Sequence, residues 1–167
     1  MGRISVEVEE GLAWVILNRP EKLNAIDVGM LEELSSTFDE LGRRADVRVV
    51  LVTGAGERAF SAGADVSSFL TSWEEVYRIS RMGQEVFDGI ESFSRPTIAV
   101  INGYALGGGL ELALSCDFRI ASDRARVGFP EINLGLLPGW GGIERASRVA
   151  GPSVARYLAM TGEITLS

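Results

Sequence analysis

The 167-residue chain has no histidine, one cysteine and one lysine, and each shortage narrows its chemistry. Without histidine, no side chain titrates near neutrality at its ordinary pKa. Proton transfer there falls to a carboxylate, the lysine, a tyrosine or the thiol, with its pKa displaced. The single cysteine, Cys116, excludes an internal disulfide and fits a reducing, cytoplasmic setting. No apolar run approaches a membrane span, which argues against a membrane partner. The N-terminal "MGRISVEVEEG" alternates charged and apolar residues where a signal peptide would be continuously apolar. Sixteen basic against 23 acidic residues leave a net charge of −7, which speaks against nucleic acid as a partner. A small anion remains compatible, since a row of backbone N–H groups can hold one.

What is present is apolar and rich in glycine: 46% of residues are hydrophobic and 20 are Gly, enough for one sizeable core. The expectation is a single domain over residues 1–167. "ISVEVEEGLAWVILN" reads as a hairpin, Ile4–Val8 with Leu12–Leu17. Asp27 then caps a helix whose apolar positions Met30, Leu31, Leu34, Phe38 and Leu41 recur at helical spacing. Val47–Thr53 is a nearly all-apolar strand, predicted to be buried on both faces. An amphipathic helix follows from Trp73 to about Phe93. Next come a strand at Thr97–Ile101, a buried helix from near Gly108 and a short strand in "FRIAS". "EINLGLLPGWGG" reads as irregular chain, and one or two helices finish the sequence. Strand–turn–helix units recur, giving an α/β fold class.

"GAGERA", starting at Gly54, fits the dinucleotide fingerprint G-x-G-x-x-A. That fingerprint needs glycines leading straight into a helix, and an acid ending the next strand about twenty residues on. Here "FSAGAD" intervenes, and Glu74 and Glu75 fall in a helical pattern. A loop at a strand end is the better reading.

Two acids stand in apolar company. Glu111, in "GGGLELALSC", has leucine or alanine on every side and no Lys or Arg within one helical turn. Its plainer explanation is pairing with a distant arginine, Arg145 or Arg119. Glu131, in "VGFPEINLGLLPG", also suits an ordinary first helical turn behind Pro130. Facing one site, the two would repel, and burial would raise at least one pKa, as acid/base work near neutrality requires. Gly107, Gly108 and Gly109 open a helix with unpaired N–H groups, and "SAGAD" offers a second small-residue segment. Donors from two such loops suit a thioester carbonyl becoming an enolate.

At these segments the chain resembles the crotonase (enoyl-CoA hydratase/isomerase) superfamily, in its hydratase branch. "NRPEKLNAID", "AFSAGADVSSF", "PTIAVINGYALGGGLELALSCDFRIAS" and "VGFPEINLGLLPGWGG" come in the family's order. The resemblance implies a crotonase-like spiral of repeated ββα units, ending before the family's C-terminal helical segment. That leaves either a truncated product or cover supplied by a partner. It implies an acyl-CoA thioester substrate, with coenzyme A as part of the substrate, no separate cofactor and no metal. It also implies a homotrimer or dimer of trimers. Ala64 and Gly108 would donate the oxyanion-hole N–H groups. Glu111 and Glu131 would be the acid/base pair for reversible syn addition of water to a trans-2-enoyl-CoA. Lys22, Ala25, Ala62, Asp65, Val66, Gly107, Pro130, Gly139 and Trp140 would contact substrate or CoA, with Lys22 on a phosphate. Two positions depart from the pattern: Ser67 stands where a hydratase often has lysine, and Trp140 replaces a commonly smaller residue. If Trp140 faces the acyl tail, it favours short chains. An isomerase or decarboxylase-like relative, and a non-catalytic acyl-CoA-binding fragment, are the alternatives.

Overall fold

The computed structural model describes residues 2–66 and 72–166, so the departure at Ser67 lies outside the described residues. One unit, two strands and a helix, recurs along the chain. It runs β1 (Ile4–Glu9), β2 (Leu12–Leu17), α1 (Val28–Arg43), then β3 (Val49–Gly54), β4 (Ala59–Ser61), α2 (Trp73–Glu91). The pattern continues with β5 (Thr97–Ile101), β6 (Tyr104–Leu106), α3 (Gly108–Ser115), then β7 (Phe118–Ala121), β8 (Arg126–Gly128). A 3-10 turn, Pro130–Leu134, leads to α4 (Gly142–Ala150), followed by α5 (Pro152–Thr161) and β9 (Thr165–Leu166).

The strands form two sheets, in the orders β1-β2-β3-β5-β7 and β4-β6-β8-β9. From the second unit onward, the first strand of each unit extends one sheet in parallel and the second extends the other. The chain therefore advances one step along both sheets per unit, which is the spiral expected. The β1–β2 hairpin turns through Glu10 and Gly11, both at positive φ, as a two-residue connection requires. Asp27 caps α1 by accepting the Met30 N–H at 2.8 Å. Leu17, Ile26, Leu31, Leu34, Val50, Val52, Phe60 and Phe87 share the main core.

Three expectations need correction. The third strand runs Val49–Gly54 and alternates buried with half-buried residues, because the second face of its sheet is only partly covered. Helix α2 stops at Glu91, two residues short of Phe93. The second sheet went unread, because its strands have only two or three residues, too few to show a period of two. "GAGERA" connects β3 to β4 and leads into a strand instead of a helix. A Cβ on Gly54 would stand 2.3 Å from the carbonyls of Ala59 and Phe60, so this glycine serves close backbone packing.

Candidate active site

Helix α3 is buried almost all round, with Leu110, Glu111, Leu112, Ala113 and Ser115 inside. Its entry is crowded. A Cβ on Gly109 would meet the Ser61 carbonyl at 2.4 Å, and one on Gly107 would meet Glu131 Oε1 at 2.6 Å. Only glycines let the helix start here, and the fit brings the 3-10 turn carrying Glu131 against the first turn carrying Glu111.

Glu111 is 1% exposed. Its Oε1 accepts the N–H groups of Trp140 and Gly142, each at 2.8 Å. Burial first, then the nearby charge of Glu131, pushes Glu111 up to about 8, against the pull of those two donors and of Arg145. Burial also raises Glu131. Glu131 Oε2 is buried with no hydrogen-bond partner among the described residues. A buried carboxylate oxygen without a donor is costly unless something else fills its valence, such as a water or a ligand. The two carboxyls repel, so their protons belong to the pair.

Neither arginine offered as the plainer partner reaches Glu111. Arg145 is buried, and its guanidinium donates to Glu91, Asp88 and the Trp140 carbonyl. Arg119 donates to the carbonyls of Ala113, Cys116 and Asp117. The thiol leaves the chemistry as well, because burial pushes Cys116 up to about 12. A cavity of about 160 Å³ contains both acids, walled by Ala64, Val66, Val76, Ile79, Ser80, Gly108, Leu136, Leu137, Gly139 and Trp140.

Most amides around this cavity are already engaged. Ala62 N–H donates to Leu23, Asp65 N–H to Ile26, Gly107 N–H to Gly128, and Gly63 N–H to the Ser61 hydroxyl. The N–H groups of Ala64 and Gly108 find no acceptor among the described residues. They are neighbours: a Cβ on Gly108 would stand 3.3 Å from Ala64 N. Two adjacent free donors beside a buried and a half-buried acid can stabilise a negative oxygen while protons move nearby.

The loop before α1 is tied to this wall. Asn24, fully buried at positive φ, donates to the carbonyls of Ala55 and Ala59, and its own carbonyl accepts the Ser61 hydroxyl. Arg19 Nη1 donates to the Ala25 carbonyl and Nη2 to Asp65, which also pairs with Lys22 at 3.2 Å. The Lys22 side chain is 53% exposed, so it is held at the surface with room for a further anion. Pro130 begins the 3-10 turn that carries Glu131. Trp140, 4% exposed, packs edge-on against Phe87 with ring centroids 5.5 Å apart and forms part of the cavity wall. Sequence reasoning missed Asn24, Arg19, Ser80 and Gln84. Ser80 and Gln84 did carry a signal, being polar residues one turn apart beside a mid-helix glycine, Gly83.

Fold and site together define a two-sheet α/β protein built of repeated ββα units, with two acids and two free backbone donors around one cavity. The chain matches the family model described as enoyl-CoA hydratase/isomerase over residues 7–165, and it belongs to that family. It is 42% identical to the short-chain-enoyl-CoA hydratase of Clostridium acetobutylicum, over 98% of this chain and 63% of that protein. It is 41% identical to the crotonyl-CoA hydratase of Syntrophomonas wolfei, over 96% of this chain and 62% of that protein. The crystal structure of the Bacillus anthracis enoyl-CoA hydratase superposes with a TM-score of 0.95 at 39% identity, covering 99% of this chain and 65% of that one. The chain thus spans a little under two thirds of the length of these relatives. Among the described residues no helix is long and apolar enough to cross a membrane.

Proposed function

We propose that this chain carries the centre of an enoyl-CoA hydratase acting on short acyl chains. The observation that carries the reading is the pair of buried Glu111 and half-buried Glu131, whose Oε2 is enclosed, beside the free N–H groups of Ala64 and Gly108. The thioester oxygen of a trans-2-enoyl-CoA would accept those two N–H bonds, which strengthen as it becomes an enolate oxyanion. Losing one such donor typically costs about 3–4 kcal/mol of transition-state stabilisation. A water held by the acids loses a proton to the ionised carboxyl as its oxygen attacks C3. The protonated carboxyl delivers its proton to C2 on the same face, giving the 3-hydroxyacyl-CoA. The pair ends with its single proton exchanged between partners, which suits a reversible reaction.

Trp140 supports the short-chain assignment, since its bulky ring lines the cavity and about 160 Å³ holds on the order of five groups of water size. The relatives named short-chain-enoyl-CoA hydratase and crotonyl-CoA hydratase support it too. For the CoA moiety, Lys22 would contact a phosphate. The backbone of Ala25, Ala62, Asp65 and Val66 would line its path, with Gly107, Pro130 and Gly139 around the acyl group. The family resemblance supports a homotrimer or dimer of trimers, which sedimentation would read.

The test is to follow the conjugated enoyl-thioester absorbance of crotonyl-CoA and the product mass. Loss of absorbance with gain of one water is expected. A shifted double bond without added mass, or no turnover, would overturn the proposal.

A further inference from the structure

The loop from Gly139 to Gly142 faces two ways. Inward, its Trp140 and Gly142 N–H groups hold Glu111 Oε1. Outward, three successive carbonyls are tied down. Gly139 C=O accepts the Ser80 hydroxyl at 3.0 Å and Gln84 Nε2 at 2.8 Å, Trp140 C=O accepts Arg145 Nη1 at 2.7 Å, and Gly141 C=O accepts the Arg145 N–H at 3.1 Å.

The carbonyl of Gly139 and the N–H of Trp140 belong to one peptide plane, in which C=O and N–H point in opposite directions. Two donors on that carbonyl therefore aim the opposite N–H at Glu111. They also polarise the peptide, which strengthens the N–H as a donor. Ser80 and Gln84 lie one turn apart on α2, so a single helix face supplies both. Gln84 is not among the residues walling the cavity that holds the acids.

We propose that Gln84, with Ser80, is a positioning residue for the acid/base pair: by fixing the Gly139–Trp140 peptide it holds Glu111 in place and sets how readily that carboxyl ionises. The inference deepens the hydratase reading, and its role for catalysis rests on it. The charged groups that bear on Glu111 are Glu131 from the 3-10 turn and Arg145 from α4, with Asp88 and Glu91 of α2 neutralising Arg145. Gln84 adds no charge, so its removal acts through the peptide alone. Hydrogen bonds to a carboxylate favour its ionised form, so loosening the Trp140 N–H moves Glu111 toward its protonated form.

The experiment is the titration of the Glu111 carboxyl carbon by ¹³C NMR in the full chain, assigned by its loss in Glu111→Gln. It compares wild type with Gln84→Met, which keeps the volume and removes the donor, and with Ser80→Ala/Gln84→Met. The midpoint should rise by about half a pH unit in the single variant and about one unit in the double. In turnover of crotonyl-CoA, kcat should fall about tenfold in the double variant with KM little changed, and Ser80→Thr/Gln84→Met should recover part of it. An unmoved midpoint in Gln84→Met would overturn the inference whatever happens to the rates. The titration needs no turnover, so an inactive wild type would refute the hydratase reading while leaving this one decided. Should the double variant not fold, the single variant decides alone.

Discussion

Gly83 gives a test in which two physical effects pull in opposite directions. It lies in the middle of α2, where glycine costs about 1 kcal/mol relative to alanine. On helix propensity alone, Gly83→Ala would stabilise the protein by that amount. The structure says otherwise. A Cβ at Gly83 would stand 2.3 Å from Trp140 Cδ1 and Nε1 and 2.5 Å from Cε2. Carbon contacts sit at about 3.5–4.0 Å, so the indole must retreat by more than about 1 Å. It has nowhere to go: its Cζ3 already lies where a Cβ on Gly108 would stand at 2.4 Å, and its ring meets Phe87 edge-on. Overpacking of this kind costs up to about 3 kcal/mol. The net expectation is a loss of about 2 kcal/mol, or about 4–8 °C in Tm for a chain of this size. Urea unfolding monitored by circular dichroism reads it. Repeating the substitution in a Trp140→Leu background should reverse the sign, because only the propensity gain remains. A Gly83→Ala protein as stable as wild type would refute the packing of Trp140 between α2 and α3.

Three further outcomes follow from the same geometry. Trp140→Leu enlarges the cavity that the indole lines, and at about 0.8 kcal/mol per buried CH₂ it should raise the kcat/KM ratio of hex-2-enoyl-CoA to crotonyl-CoA by about 15-fold; an unchanged ratio contradicts the short-chain assignment. Gly108→Ala places a Cβ 2.4 Å from the indole and 3.3 Å from Ala64 N, so kcat should fall by about 10² or more, measured by the same absorbance assay. Glu111 also links stability to pH. Its folded pKa, about 8, lies above its ordinary value of 4.5, so between those values the folded state holds a proton that the unfolded state has lost. That stabilising contribution is complete below about pH 4.5 and is lost as pH rises through 8, with a slope of up to about 1.4 kcal/mol per unit. Glu111→Gln keeps an acceptor for the two N–H groups and should flatten this decline in denaturant titrations; a parallel decline in both proteins would show that Glu111 is not held protonated.

Much of this was legible because periodicity and apolar context leave marks. The β1–β2 hairpin, the Asp27 cap and the two long helices follow from alternation, capping chemistry and 3.6-residue spacing. Glu111 and Glu131 stand out because a charge surrounded by leucine needs a reason. What stayed hidden was whatever depends on distant segments meeting. The strands of the second sheet are too short for a pattern, and the half-covered face of β3 depends on what packs outside it. Arg145 looked like a candidate partner for Glu111, yet it acts on the loop whose amides hold that acid. The spacing of Ser80 and Gln84 beside Gly83 is visible in the sequence, but their target, the Gly139 carbonyl, comes from a distant loop. That the Ala64 and Gly108 amides stay free and stand side by side likewise emerges only once the segments carrying them meet.

In the proposed hydration of an enoyl thioester, buried Glu111 and half-buried Glu131 exchange a proton. The most direct measurement is crotonyl-CoA turnover in Glu111→Gln and Glu131→Gln, each of which keeps the shape and one acceptor oxygen while removing the titrating group. Each substitution alone should lower kcat by about 10²–10⁴, with crotonyl-CoA still bound. Turnover that survives either change within a few-fold would contradict it.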